Sequence, residues 1–217
     1  GQIELIQKTL DALGVAWFTV EDFEADDIVA SIATIADQEG AEPLLVTSDR
    51  DAIQLVTDTV TLLQPVKGVT ELRRMTPSAV EEKYLVSPEL YPDLAALVGE
   101  SADNLPGVPG VGPKTAAKWI AQYGNLDGIL ENAEQIKGKA GQSLRDNVAA
   151  VTRNRAMNAA VRTLDLPRDF AAYALGRGSA VEVNARFDEL GFGATIRRDI
   201  PSALMSGDAE IVAEEQI

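Results

Sequence analysis

Apolar residues recur at three- and four-residue intervals in two stretches near the start of the chain, and a short apolar run follows each of them. On this spacing, residues 2–13 and 25–39 predict amphipathic helices. The runs at 15–20 and 43–48 predict strands, the second of them buried. Helices that alternate with strands through short connections predict the α/β class, a mostly parallel sheet flanked by helices, with ligands at the strand ends.

Beyond residue 98 the pattern becomes helical and is broken by Gly and Pro, without a strand pattern up to about residue 163. We therefore predict an acidic α/β core over 1–97, a helical subdomain over 98–200 and an acidic tail over 201–217 whose composition indicates disorder. The spacing also predicts two strands at 59–65 and 68–75, and helices at 77–84, 89–99, 113–123, about 140–163 and 180–190.

The 217 residues include neither histidine nor cysteine, which excludes several chemistries. A Ser-His-Asp triad, an imidazole base, a thiol nucleophile and a disulfide each need one of the two residues, and so do the usual zinc sites. Catalysis by this chain would have to use carboxylates, hydroxyls, Lys, Arg or a bound metal ion. With 46 % apolar residues, the chain has enough material for a substantial core.

The distribution of charge changes the expectation about partners. No run approaches the roughly 20 apolar residues of a membrane helix, and the first residues lack a signal-peptide pattern, so we expect a cytoplasmic protein. The net charge of −15, taken alone, argues against nucleic acid as a partner. However, residues 1–60 carry −11, residues 205–217 carry −4, and the middle of the chain is neutral. The average therefore hides a region that can contact phosphates.

Three acidic groups lie where the chain changes from one element to the next. They are Glu24, Asp26 and Asp27 in EADD, Asp49 and Asp51 in TSDRD, and Glu100 and Asp103 in GESADN. Because two of the groups adjoin strands predicted to be parallel neighbours, all three can converge on one cleft. Crowded carboxylates repel each other, and divalent ions such as Mg²⁺ or Mn²⁺ prefer oxygen ligands. Two such ions can activate a water and stabilise the leaving oxygen in phosphodiester hydrolysis.

Each acidic group taken alone also fits a simpler role. An Asp near a helix start commonly caps the helix or interacts with its dipole. A loop Asp such as Asp49 or Asp51 commonly stabilises a turn, and Glu100 and Asp103 can simply be solvated. The occurrence of all three groups at element ends favours a metal site.

The most specific signal is the segment NLPGVPGVGPKTAAK at residues 104–118. Its prolines and glycines predict a tight turn between two helices, with backbone amides that side chains leave unobstructed. Together with the N-terminus of the next helix and the charges of Lys114 and Lys118, this turn can bind nucleic-acid phosphates independently of base sequence. The alternative is an ordinary corner between two helices.

These motifs, in this order and spacing, resemble those of the 5′-nuclease family, which includes the flap endonucleases. The likeness is greatest to the 5′→3′ exonuclease domain of bacterial DNA polymerase I, and it covers about residues 1–200. The resemblance implies a PIN-like α/β core and a helix-hairpin-helix at about 104–123. It also implies hydrolysis of DNA near 5′ ends, at flaps and nicks, in replication and repair, with two divalent ions, Mg²⁺ or Mn²⁺.

The resemblance assigns roles to single residues. The catalytic metal ligands that it implies are Glu24, Asp26, Asp49 and Asp51, and further ligands for the second metal, direct or through water, are Asp27, Glu100 and Asp103. The DNA-binding residues that match the family hairpin are Gly107, Val108, Gly110, Val111, Gly112, Lys114, Thr115 and Lys118. In the family this hairpin also binds a monovalent cation, usually K⁺, through backbone carbonyls.

The chain departs from the family pattern in its motifs and at its start. Ser48 stands where the family usually has Gly, Ala102 where it has Ser, and Glu100 where it has Asp. The longer Glu100 side chain is expected to reposition a metal. Family members also open with a strand that carries a ligand Asp and with a basic helical arch, and a polymerase domain usually follows. Since this sequence begins about where the arch ends, we expect it to belong to a longer parent chain.

Two functions from different classes stay open at this point. The first is a structure-specific 5′→3′ exonuclease or flap endonuclease, or a fragment of one. The second is a DNA-binding module that docks flapped or nicked duplex through its hairpin without cutting, because part of its metal site is absent. A nuclease of related fold that acts on RNA is a third possibility, which the hairpin disfavours.

Overall fold

The computed structural model describes residues 1–68, 70–176 and 178–205, and the chain forms two compact units. One unit comprises Gly1–Thr19 with Pro167–Ile217, and the other comprises Val20–Leu166. The boundary expected near residue 98 therefore lies inside the second unit. The reason is that the helix ending at Val98 packs against helices that follow it as well as against a turn that precedes it.

Helices dominate both units. The α-helices of the described residues are α1 (Gln2–Leu13), α2 (Ala25–Gln38), α3 (Pro77–Tyr84), α4 (Tyr91–Val98), α5 (Pro113–Tyr123), α6 (Leu126–Glu131), α7 (Gly138–Asp146), α8 (Val148–Met157), α9 (Ala180–Glu189) and α10 (Ala194–Met205). Short 3₁₀ helices lie at Asp51–Leu55, Pro88–Leu90, Ala133–Gln135 and Phe170–Tyr173. Among these helices, none is long and apolar enough to cross a membrane.

The strands of the described residues form two small sheets. They are β1 (Leu44–Val46), β2 (Thr61–Lys67), β3 (Glu71–Met75), β4 (Gly99–Glu100) and β5 (Leu105–Pro106). In the larger sheet β1 pairs with β2 in parallel, and β2 pairs with β3 in an antiparallel hairpin. The α/β class is thus confirmed, while the parallel arrangement holds for one of the two strand pairs. The two-residue strands β4 and β5 pair in the region expected to lack strands.

Local sequence explains where several of these elements begin and end. Thr76 caps α3, since its hydroxyl accepts a hydrogen bond from the Ala79 N–H, and Pro77 occupies the first helical position. Pro113 occupies the corresponding position in α5. The core of the second unit is then formed by the inner faces of these helices and of the sheet, with Ile53, Leu62 and Leu97 fully buried.

The strand expected at 15–20 is absent from the described residues. The Val15 N–H donates to the Leu10 carbonyl oxygen and so continues the C-terminal cap of α1. The Trp17 indole N–H donates to Asp11, which holds the segment close to the helix. The Val15 N–H is thereby used locally and the Trp17 side chain ties the segment to α1, so the strand prediction was wrong.

The prediction of one long helix at about 140–163 is also wrong. The structure has α7 and α8, separated at Asn147, and α8 is followed by an extended segment, residues 158–166, that we call the strap. The backbone of the strap bonds to side chains of the preceding chain rather than to a helix ladder: Val161 N–H donates to Asp27, and the Ser31 hydroxyl donates to the Val161 carbonyl. As for the acidic tail, α10 extends to Met205, and 206–217 lie outside the described residues.

A buried ion pair joins three helices of the second unit. Asp93 on α4 is 5 % exposed, and one of its oxygens accepts a hydrogen bond from the Leu126 N–H at 2.8 Å. Its other oxygen binds the Arg155 guanidinium on α8. Since the carboxylate is buried, removing it leaves both an amide and a guanidinium without their partner.

We expect Asp93→Ala to lower the free energy of unfolding by about 2 kcal/mol, because a buried carboxylate that bonds an amide and a guanidinium is removed. Glu134→Ala is the matched control, since Glu134 is exposed and its oxygen lies 3.9 Å from Arg145. The control should cost less than about 1 kcal/mol. Urea denaturation of both variants measures the difference, and equal losses in the two variants would contradict the role assigned to Asp93.

Candidate metal centre and nucleic-acid interface

The loop after β1 is folded by its own side chains. The Asp49 N–H donates to the Thr47 hydroxyl at 3.0 Å, and the Asp51 N–H donates to the Asp49 carboxylate at 2.9 Å. Asp51 then begins a 3₁₀ helix whose remaining residues are buried. The loop thus serves as a turn, the simpler role that its sequence allowed, and it also places two carboxylates at the end of β1.

Asp51 is the most perturbed acid in this region. Its pKa is raised to about 7, first by burial, then by the negative charges of Glu100 and Asp49, and then by those of Asp103 and Asp26. Each of these four residues had been predicted to share a site with Asp51. Their electrostatic coupling shows that the fold brings groups from three separate motifs close together.

Glu100 and Asp26 approach Asp51 and Asp49 from the other two motifs. Burial raises the pKa of Glu100, and the charges of Asp103 and Asp49 raise it further. Burial also raises the pKa of Asp26, which stands at the start of α2 within hydrogen-bonding reach of Asp49. Glu24 is exposed and contributes to the shift of Asp26 through its charge alone.

Asp49, Glu100 and Asp103 line a cleft of about 360 Å³. Two buried oxygens in this region, Asp51 Oδ1 and Glu100 Oε2, have no hydrogen-bond partner among the described residues. A buried carboxylate oxygen without a donor is costly. A divalent cation would satisfy both oxygens, and a donor set made only of oxygens matches Mg²⁺ or Mn²⁺.

The carboxylates do not form a ready-made cage. Within the described residues, no group of three or more acidic side chains is spaced to hold a metal ion. The repulsion that raises their pKa values also favours separated carboxylates. Since Mg²⁺ keeps several waters and commonly uses one or two carboxylates, paired groups such as Asp51 with Glu100 still fit such an ion.

The structure shows that Asp27 has a structural role in addition to the predicted one. Its Oδ1 accepts a hydrogen bond from the Val161 N–H at 2.8 Å, and its Oδ2 accepts one from the Glu24 N–H at 3.3 Å. Both oxygens are thus bonded to backbone, one at the start of α2 and one in the strap. These bonds make Asp27 a helix cap that also holds the strap, and its role as a metal ligand stays a prediction.

Sequence reasoning missed two residues at this site. Arg50 lines the cleft, and its positive charge lowers the pKa of Glu100. Burial and the charge of Glu100 raise the pKa of Tyr91. The signal for Arg50 was its position between Asp49 and Asp51 in an acidic motif, whereas nothing in the pattern around Tyr91 pointed to the cleft.

The hairpin between β4 and α5 is packed tightly against the end of α4. The Val108 N–H donates to the Leu97 carbonyl at 2.8 Å. A Cβ on Gly107 would lie 2.1 Å from the Val98 carbonyl oxygen, and one on Gly99 would lie 2.3 Å from the Gly107 nitrogen, so neither position accepts a side chain. The glycines therefore allow the hairpin backbone to touch the chain that leads into Glu100.

The predicted DNA-binding residues divide into two sets. Val108 and Val111 are buried in the core, so their side chains anchor the hairpin instead of facing a ligand. Gly110, Gly112, Lys114 and Lys118 are exposed, and Gly107 and Thr115 are half-buried. The start of α5 at Gly112 has no side-chain cap hydrogen bond, which leaves its backbone amides accessible to an anion.

A small mixed sheet, an acidic cleft at the end of β1 and an adjoining glycine-rich hairpin define the 5′-nuclease class. Residues 1–85 match the N-terminal resolvase-like domain of 5′-3′ exonucleases, and residues 86–180 match their C-terminal SAM fold. The chain belongs to the 5′-3′ exonuclease family.

Individual relatives agree with this assignment. DNA polymerase I of Mycobacterium leprae is 50 % identical over 192 residues, which cover 88 % of this chain and 21 % of that protein. The chain thus spans about a fifth of the length of this relative. The 5′-exonuclease of bacteriophage T5, as the K83A mutant, is 26 % identical with a TM-score of 0.57, covering 80 % of this chain and 68 % of that one. The Rad2 catalytic core shares the fold, with a TM-score of 0.62 at 17 % identity over 94 % of this chain and 69 % of that one.

The raised pKa of Asp51 leads to a prediction about stability. The pKa of Asp51 is about 7 in the folded chain and about 4 in an unfolded one. The contribution of Asp51 to the free energy of unfolding is therefore fully present below about pH 4 and is lost as the pH rises through about 7. Asp51→Asn lacks the ionising group. In a metal chelator, we expect this variant to unfold at a higher temperature than the parent at about pH 8, with the difference vanishing towards about pH 4.

Circular dichroism melts at both pH values measure the effect. Asp58→Asn is the control, because Asp58 is an exposed aspartate that follows the same 3₁₀ helix. The control should melt like the parent at either pH. If Asp51→Asn also melts like the parent at about pH 8, the cleft does not hold Asp51 in the way described.

Proposed function

We propose that the chain is a divalent-metal-dependent, structure-specific 5′ nuclease that hydrolyses phosphodiesters near the 5′ ends of DNA, at flaps and nicks. The observation that carries this proposal is the pair of buried oxygens without partners among the described residues, Asp51 Oδ1 and Glu100 Oε2, of which Glu100 lines the cleft and Asp51 follows its lining residues Asp49 and Arg50. Membership of the 5′-3′ exonuclease family supports the reaction class.

Two ions, Mg²⁺ or Mn²⁺, would be held by different carboxylates of the three acidic motifs. Asp49, Asp51, Asp26 and Glu24 would hold the ions directly, with Glu100 and Asp103 serving the second ion directly or through water. When bound, the ions would activate a water and stabilise the leaving oxygen. The chain's own part is to hold the carboxylates in position, and Arg50 offers a positive group to the phosphate in the same cleft.

The hairpin would hold the duplex beside the cut. Gly110 and Gly112 are exposed, and Lys114 and Lys118 lie on the exposed side of the helix whose other side buries Trp119. Such contacts reach phosphates and not bases, which suits a nuclease that selects DNA by its shape. We extend this proposal to a K⁺ ion bound by hairpin carbonyls, as the family resemblance implies.

The names of the related proteins support the substrate and the setting. The T5 enzyme is described as a flap endonuclease and has been solved as a complex with DNA and metal ions. Relatives that are 46 to 50 % identical to this chain are DNA polymerases I. We infer that this chain acts on DNA in replication and repair, in the cytoplasm, and that it works beside a polymerase domain in a longer parent chain.

Asp49→Ala should abolish cleavage. Asp49 lines the cleft and also receives the Asp51 N–H, so its loss removes a ligand and loosens the loop. Because metal catalysis contributes several kcal/mol, we expect the rate to fall by on the order of 10³. The measurement is release of labelled product from a 5′-flap duplex in Mg²⁺ or Mn²⁺, with Asp58→Ala as a control that retains the parent rate.

Full metal-dependent cleavage by Asp49→Ala would overturn the assignment of the cleft. A parent chain that binds the flap duplex but cleaves nothing at any Mn²⁺ concentration would favour the second function, a module that docks DNA without cutting. Cleavage that is lost in chelator and restored by added Mn²⁺ is expected only if the chain is a nuclease, and not if it is a docking module.

Lys114→Glu should weaken DNA binding on either function. Removing a phosphate contact lowers the magnitude of the slope of log affinity against log salt concentration by about 0.9. Fluorescence anisotropy with labelled duplex at several salt concentrations measures both Kd and slope. Lys83→Glu on α3 is the control with the same change of charge, and an equal loss of affinity in both variants would contradict the hairpin interface.

A further inference from the structure

Gln54 is a buried polar residue that the proposed chemistry does not use. It is 6 % exposed and lies one 3₁₀ turn after Asp51. Its side-chain amide donates to the Asp51 carbonyl oxygen at 2.9 Å and to the Asn158 carbonyl oxygen at 2.7 Å. Its side-chain oxygen accepts a hydrogen bond from the Ala160 N–H at 3.2 Å. Both donors and the acceptor of the amide are therefore used.

These bonds join the loop of Asp51 to the strap. The Arg162 guanidinium adds a further bond at 2.6 Å to the Gln54 carbonyl oxygen, so the strap holds Gln54 through its side chain and its backbone. The strap comes from the chain after α8, more than 100 residues beyond Gln54. A distant part of the second unit thus fixes the turn on which Asp51 stands.

Asp51 needs such a support because its own carboxylate is poorly restrained. Its Oδ1 is buried without a hydrogen-bond partner in the described part of the chain, and its neighbours Asp49 and Glu100 repel it. The orientation of its side chain then depends on the backbone of the turn. Gln54 is the side chain that bonds to the Asp51 carbonyl and so holds this backbone.

We propose that Gln54 is a positioning residue for the metal centre, which orients Asp51 by bonding its turn to the strap. The inference rests on the proposed function, since it assumes that Asp51 receives a divalent ion. Groups that orient metal ligands commonly change metal affinity by about 10- to 100-fold when they are removed. Gln54 should therefore act on metal affinity and not on DNA binding.

The test is a Mn²⁺ titration of the intact chain, in which the electron paramagnetic resonance signal reports the free ion. Gln54→Met keeps the length of the side chain and removes its donors, and we expect Mn²⁺ affinity to fall by about tenfold or more. Gln54→Glu keeps the acceptor for Ala160 and also loses the donors. Its added negative charge would by itself favour a cation, so weaker binding by this variant points to position rather than charge.

Ser31→Ala is the matched control. Ser31 is also buried and bonds the same strap at the Val161 carbonyl and the Leu164 N–H, but none of its described hydrogen bonds reaches the Asp49–Asp51 loop. This variant should lose stability, as the Gln54 variants do, while its Mn²⁺ affinity stays within about twofold of the parent. Circular dichroism measures whether each variant is folded. The Mn²⁺ affinity of Ser31→Ala is then compared with that of whichever Gln54 variant is folded.

The outcomes separate this inference from the proposed function. Parent-like Mn²⁺ affinity in the folded Gln54 variants overturns the inference, and so does an equal loss in Ser31→Ala. A parent that binds no Mn²⁺ overturns both proposals. A parent that binds Mn²⁺ but cleaves no 5′-flap duplex overturns the nuclease alone, and the Mn²⁺ comparison still decides the role of Gln54.

Discussion

Repulsion between carboxylates held in one partly buried cleft is the constraint on which the rest of the site depends. Asp26, Asp51 and Glu100 each lose solvation and face further negative charge, and the pKa of each is raised as a result. Only a backbone that is fixed elsewhere can keep such groups together. The turn bonds of Thr47 and Asp49 provide part of this support, and the strap provides another part.

The same backbone ties the acidic cleft to the hairpin. The chain leaving α4 at Gly99 enters the cleft at Glu100, and Gly99 and Gly107 touch where a side chain on either would collide. The Val108 bond to Leu97 holds the hairpin to the end of that helix. Because one short piece of chain carries both features, the proposed cut and the proposed grip on the duplex keep a fixed separation.

The sequence predicted what depends on local spacing. The bounds of α1, α3 and α5 follow from apolar periodicity with Gly and Pro at the ends, and the acidic motifs were found because each lies at an element end. The strap was not predictable, since its backbone bonds to Asp27, Ser31 and Gln54 across more than 100 residues and so shows no period. The same holds for the long-range bond from the Val161 N–H to Asp27, of which the sequence shows only the acidic motif at a helix start.

The central claim is that the cleft of Asp49, Asp51 and Glu100 receives divalent ions. The most direct measurement is anomalous X-ray diffraction from crystals of this chain soaked in Mn²⁺, with data collected near the manganese absorption edge. The account predicts anomalous peaks in the cleft, within ligand distance of the Asp51 and Glu100 oxygens that lack hydrogen-bond partners. Peaks confined to other surfaces, with none in the cleft, would contradict it.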